Sequence, residues 1–186
     1  MKKILLVCSL ISAVLLLQNC KKDTVTATAT STQTLFADVN DSTWTPDTLS
    51  AAITYNAALK TKVFTISGQA DNKLVNTSVT QKTNSNTPGF LLATYNSDAA
   101  GTNTFLLSRG YINSGNFSWQ PDGTVDAGSG TLVVTAIDSV KKVITGTFSF
   151  TSKHVTYDGS GNISTIRVTQ VSLGAFNNMP YTFTSN

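Results

Sequence analysis

The chain has 186 residues, enough for one domain with a sizeable core, and only 12% of them are charged: ten Asp, no Glu, two Arg, eleven Lys and one His beyond that count. The ordinary charged share is about 25%; here Thr, Ser, Asn and Gly supply the polar surface, which favours strands and turns over helices. No basic run lies in the body of the chain, so a phosphate-tracking footprint is excluded and nucleic acid is not an expected partner.

In chain order, Met1-Lys2-Lys3 is a basic start, followed by a mainly apolar run from Ile4 to Leu17. A membrane span needs about 20 residues, so residues 1–19 read as a secretory signal. Removing Lys2 and Lys3 with it leaves eleven basic residues against ten Asp, a nearly neutral mature chain. Cys8 sits in the apolar run, so Cys20 alone survives and no internal disulfide is expected.

Leu15-Leu16-Leu17-Gln18-Asn19-Cys20 resembles a bacterial lipoprotein lipobox, with Leu three residues before a Cys whose thiol is acylated. The polar Gln18 and Asn19 are similar to what Bacteroidetes-type lipoproteins tolerate there. The resemblance implies lipidation at Cys20 and a membrane held through the anchor. The location it implies is the cell envelope, on the periplasmic or the outer face of the outer membrane. Lys21-Lys22-Asp23 resembles part of a surface-export tag. Thr24 to Thr34 is a low-complexity Thr-rich stretch, and residues 20–34 read as the lipidated Cys and a flexible tether.

Residues 35–186 read as a single β domain. Strands are expected at Leu35–Val39, Ala51–Leu59, Val63–Gln69, Leu74–Gln81, Phe90–Tyr95 and Thr104–Leu107, with a turn at Lys60-Thr61-Lys62. Later strands are expected at Lys153–Tyr157 and Ile163–Val171, around a turn at Asp158-Gly159-Ser160-Gly161-Asn162. The clearest pattern is Gly130 to Thr151. Ile144, Gly146, Phe148 and Phe150 alternate with Thr145, Thr147, Ser149 and Thr151, the period of a half-buried antiparallel strand. If Ile137 faces Val143, Leu132 lies opposite Phe148 and Gly130 opposite Phe150. Nine to eleven short strands at this spacing predict an all-β antiparallel β-sandwich, with a closed lipocalin-like barrel as the alternative.

Gly130 to Thr151 also resembles a family of small Bacteroidetes lipoproteins of unknown function. So do the lipobox Cys, Trp44 after the first strand, Ile66-Ser67-Gly68, and Gly174-Ala175-Phe176. The chain departs from that family at Gly89-Phe90-Leu91, where Gly-Thr-Tyr is expected, and at Ser172-Leu173, where Thr-Asn is expected. The resemblance implies an envelope location and a compact β fold, and brings no catalytic residues.

Candidate chemistry is sparse. His154 alone cannot make a His-rich zinc site, no phosphate loop or Gly-X-Ser-X-Gly elbow is present, and no metal or cofactor is expected. Asp158-Gly159-Ser160-Gly161-Asn162 and Asp38-Val39-Asn40-Asp41 have oxygen ligands but read as Asx-type turns. Tyr111, Phe117 and Trp119 cluster near loops, as sugar-binding aromatics do, and are the candidate ligand-binding residues. Thr24, Ser42, Thr48 and Ser139 each follow an Asp and precede Val, Thr or Leu, which resembles an O-glycosylation signal of some Bacteroidetes. The expected role is a non-enzymatic binding or assembly module, with a glycan or an envelope protein as partner. The alternatives are a lipocalin-like carrier of a small apolar ligand, or a hydrolase using carboxylates such as Asp122 and Asp126.

Overall fold

Alternation in Val143–Phe150 becomes burial: Ile144, Phe148 and Phe150 are buried, while Thr147 and Ser149 face solvent. The computed structural model describes residues 33–186. The signal, Cys20, Thr24 and all of the tether except Gln33 and Thr34 lie outside the described residues.

Among the described residues twelve strands follow one another: β1 (Leu35–Val39), β2 (Ser42–Trp44), β3 (Thr48–Asn56), β4 (Thr61–Ala70), β5 (Lys73–Lys82), β6 (Thr94–Asn96), β7 (Thr104–Asn113), β8 (Asn116–Pro121), β9 (Gly130–Asp138), β10 (Val143–Tyr157), β11 (Ile163–Pro180) and β12 (Thr182–Ser185). They form two six-stranded sheets, ordered β2-β1-β11-β10-β9-β6 and β12-β3-β4-β5-β7-β8. Every pairing is antiparallel except β12 with β3, which is parallel. Each sheet ends in two edges, so the fold is a β-sandwich and the closed-barrel alternative is not what forms.

The core lies between the sheets. Phe64 of β4 meets Phe176 of β11 at 5.8 Å between ring centroids, and Phe105 of β7 meets Phe150 of β10 at 5.8 Å. Burying each such side chain contributes roughly 1.5–3 kcal/mol. Glycines make room for these rings. A Cβ on Gly174 would stand 2.8 Å from the Phe148 ring, and one on Gly68 would stand 2.8 Å from both Leu35 and Trp44. Trp44, Gly68, Gly174 and Phe176 are therefore packing partners. Trp44 also donates its indole N–H to the Ala70 carbonyl at 3.3 Å.

Two local expectations change. Phe90–Tyr95 is not one strand: only Thr94–Asn96 pairs, with Thr131–Val133. Before it the chain is pinned by side chains instead of a ladder. Lys62 donates to the Gly89 carbonyl at 2.7 Å, Tyr181 to the Pro88 carbonyl at 2.8 Å, and Gln81 accepts from the Leu91 N–H at 2.8 Å. The expected turn at residues 60–62 also moves, to Ala57–Lys60, where Asn56 caps the Leu59 N–H at 2.9 Å and Lys60 takes a φ of 52°. Lys62 thus lies in β4, and burial lowers its ammonium pKa below the usual value.

Candidate functional site

β7 and β8 form a hairpin closed by Ser114-Gly115, both at positive φ (50° and 82°) as a tight two-residue turn requires. That turn sets the register, placing Gly110 opposite Trp119, Tyr111 opposite Ser118 and Ile112 opposite Phe117. Parity then divides the three candidate aromatics. Phe117 and Trp119 share one face and meet edge-to-face at 5.1 Å, with the Phe117 ring over Gly110, where a Cβ would come to 2.5 Å. Tyr111 projects from the other face. Ile112 is 77% exposed, Phe117 55% and Tyr111 48%. These side chains are not core.

A second hairpin comes from the longest strands. Beyond Lys153 and Val168, β10 and β11 continue as a two-stranded arm, pairing Val155 with Ile166 and Tyr157 with Ile163. Its turn is held by Asp158, whose Oδ1 accepts the N–H groups of Ser160 and Asn162 at 2.9 Å each. The Asn162 N–H bond, first among these contacts, keeps the Asp158 carboxyl below its ordinary pKa. The expected Asx-type turn thus accounts for the oxygen that a cation would need. Among the described residues no group of three His, Cys, Asp or Glu gathers to hold a metal.

The two hairpins are bound at their bases by Asp122. Its side chain is fully buried; Oδ2 accepts from Arg109 Nε of β7 at 2.5 Å, and Oδ1 accepts from Arg167 of β11. Its backbone carbonyl accepts from Ser152 Oγ at 2.7 Å and its N–H donates to the Leu107 carbonyl at 2.7 Å. Thr124, just beyond, bridges to Lys153 of β10. Asp122 therefore links the two sheets, and the β7–β8 hairpin and the β10–β11 arm leave the same end of the sandwich. β1 starts at the other end, with Leu35 opposite Phe176. From Phe176 to Ile163 along β11 is on the order of 40 Å at about 3.3 Å per residue.

The carboxylate pair considered for hydrolysis does not come together. Both oxygens of Asp122 are engaged by arginine, whereas Asp126 is exposed on the following loop. Arg109 and Arg167 were the residues that sequence reasoning missed. They are the only arginines in the chain, and that scarcity was the one signal pointing to a shared task. His154 lies opposite Arg167 on β10, partly exposed. Ser42, Thr48 and Ser139 are all on the solvent side.

The sandwich with its two projecting hairpins defines an all-β domain whose exposed aromatic side chains, Tyr111, Phe117 and Tyr157, lie on those hairpins. The chain belongs to the family described as a domain of unknown function, DUF6252, which matches residues 31–180. Comparison with curated proteins and with solved structures finds no match.

Proposed function

We propose that this chain is a cell-envelope lipoprotein whose sandwich acts as a non-enzymatic binding or assembly module. The hairpin end is its contact surface, toward a glycan or an envelope protein. The observation that carries this reading is exposed Phe117, held edge-to-face on the partly buried Trp119, with exposed Ile112 beside it. Large side chains held in fixed geometry on a tight hairpin, and not used by the core, offer contact area at little entropic cost. The lipobox resemblance at Cys20 supports the envelope location. An anchor there would join the domain at the β1 end.

The test is a glycan array and an envelope pull-down with the purified full chain, comparing wild type with Phe117→Ala and Trp119→Ala. Binding that both variants reduce at least tenfold, with little change in melting temperature, is the expected result. Reproducible turnover of a substrate, or binding indifferent to both changes, would overturn the reading.

A further inference from the structure

Charge is divided unevenly along the sandwich. The end at which the chain enters β1 is built from turns and connections tied to one another. The Thr83 N–H, just after β5, donates to the Lys60 carbonyl of the β3–β4 turn at 2.8 Å. The Tyr181 N–H donates to the Lys142 carbonyl of the β9–β10 turn at 3.0 Å, and its hydroxyl donates to the Pro88 carbonyl at 2.8 Å. Lys60, Lys82, Lys141 and Lys142 are all exposed on these segments, and Asp138 is their only acidic side chain. Among the described residues Lys141 alone of the four has an acidic partner, Asp138 at 3.8 Å. The hairpin end is balanced instead: Asp122 takes up both arginines, and Asp41, Asp47, Asp71 and Asp158 lie in the connections on that side.

Apolar tips accompany these lysines. Leu59, next to Lys60, is 70% exposed, and Val140, next to Lys141, is 90% exposed. Such turn positions are ordinarily Gly, Asn, Asp or Ser, and neither side chain belongs to the core. An open cleft of about 420 Å³ is lined by Lys60, Lys82, Thr83 and Asn84, with Leu59 beside them. Two ammonium groups, a hydroxyl and an amide suit a phosphate group, and the leucine suits hydrocarbon. That combination matches a membrane interface, where ammonium meets headgroup phosphate and apolar tips enter the boundary with the acyl chains.

We propose that this end of the sandwich docks on the surface of an anionic phospholipid bilayer. Lys60 and Lys82 hold headgroup phosphates, Lys141 and Lys142 add to the attraction, and Leu59 and Val140 reach the acyl boundary. Charge complementarity selects this occupant, since the four lysines face a single acidic side chain. The path of the chain agrees with it. Gln33 and Thr34, which accept from the Asn177 side chain and N–H at 3.2 and 2.8 Å, lead into β1 at this same end. Each lysine near an anionic surface strengthens binding on the order of fivefold, within a reach of about 8 Å at physiological salt. Contacts that weak would not hold a free protein for long, but they orient one that an anchor already confines. Docking here leaves the hairpin end free for its partner. The inference rests on the envelope reading above.

The test uses the full chain, purified from cells and reconstituted in vesicles of phosphatidylcholine and phosphatidylglycerol. Ala58→Cys, beside Leu59, and Ser160→Cys, in the β10–β11 turn, each take an environment-sensitive fluorophore, and the parent chain sets the background. The label on Ala58→Cys should brighten several-fold and shift to the blue, while that on Ser160→Cys should stay unchanged. The Ala58→Cys signal should fall to background on vesicles of phosphatidylcholine alone. It should fall likewise in about 1 M salt, where screening leaves roughly 3 Å of reach. Adding Lys60→Gln and Lys82→Gln should abolish it with an unchanged circular dichroism spectrum. Equal signals from the two sites, or a signal indifferent to lipid charge and salt, would overturn the proposal. No signal from Ala58→Cys would leave the lysines to a protein partner and overturn it too. Mass spectrometry of the same sample reads the acyl chains on Cys20, so failure of the anchor is seen separately. An unacylated chain that still gives the Ala58→Cys signal on added vesicles would support the docking surface without the anchor.

Discussion

Arg167 reaches Asp122 from the opposite sheet, 45 residues away in sequence, and Arg109 closes on the other carboxylate oxygen. A fully buried carboxylate is sustained only by such partners, and removing one member of a buried pair typically costs about 3–5 kcal/mol. Both arginines keep part of their surface in water, so the lower end of that range applies. Asp122→Ala should therefore lower unfolding free energy by roughly 3 kcal/mol. The exposed pair Lys141–Asp138, at 3.8 Å, is the control: Lys141→Ala should change stability by less than about 0.5 kcal/mol. Urea denaturation of the two variants checks the contrast.

The two faces of β10 predict a second contrast. Phe148 is 4% exposed and packs against Gly174, whereas Thr147 is on the solvent side. Phe148→Ala should cost about 3–5 kcal/mol, and Thr147→Ala should stay within about 0.5 kcal/mol. Equal, small effects in chemical denaturation would mean that the faces are assigned wrongly.

Much of this hairpin was legible because burial enforces period two. Leu132 does face Phe148 and Gly130 does face Phe150. At the turn the pairing differs by one residue: Ile137 faces Ile144, not Val143. Asp138 Oδ1 accepts the Val140 and Lys141 N–H groups and tightens the turn. A bulge around Thr135 then restores the register, and no side-chain pattern announces a bulge in advance. The candidate site was half legible. Tyr111, Phe117 and Trp119 could be singled out as aromatics near a loop, but their split between faces depends on the Ser114-Gly115 turn. The Asp122 linkage depends on how two sheets stack, which local periodicity does not encode.

Leu173 supplies a stabilising prediction. It adopts a φ of 50° within β11 and is 73% exposed. The left-handed region costs an ordinary L-residue roughly 1–2 kcal/mol, and Asn tolerates it better. Asn is also what the resemblance to small envelope lipoproteins leads one to expect there. Leu173→Asn should raise stability by about 0.5–1 kcal/mol. No gain in thermal or urea midpoint would mean that the exposed leucine makes up the difference through a contact of its own.

Alkaline stability should report on Tyr95. Burial raises its phenol pKa to about 12 from 10.0, and its hydroxyl donates to the Leu91 carbonyl at 3.0 Å. The folded state therefore holds the proton more tightly than the unfolded chain does. Its contribution is complete below pH 10 and is lost as pH rises toward 12. Tyr95→Phe should flatten the fall in stability across that window. Lys62 acts in the opposite sense: its lowered pKa makes stability rise with pH up to its unfolded value. Paired urea titrations of wild type, Tyr95→Phe and Lys62→Met separate the two slopes.

The proposed anchor makes the last prediction. Acylation of a lipobox Cys needs the thiol as nucleophile, and a serine hydroxyl does not replace it in that reaction. The mature chain should begin at Cys20 and carry acyl chains. It should also partition with envelope membranes despite a near-neutral domain. Each buried methylene contributes about 0.8 kcal/mol, so two or three chains hold the protein essentially permanently. About 15 residues separate Cys20 from β1. Cys20→Ser should release the protein to the soluble fraction or leave the full-length precursor. Labelling of intact cells with an impermeant reagent distinguishes the outer from the periplasmic face. Mass spectrometry finding an unmodified Cys20 thiol on the membrane-bound protein would overturn the anchor.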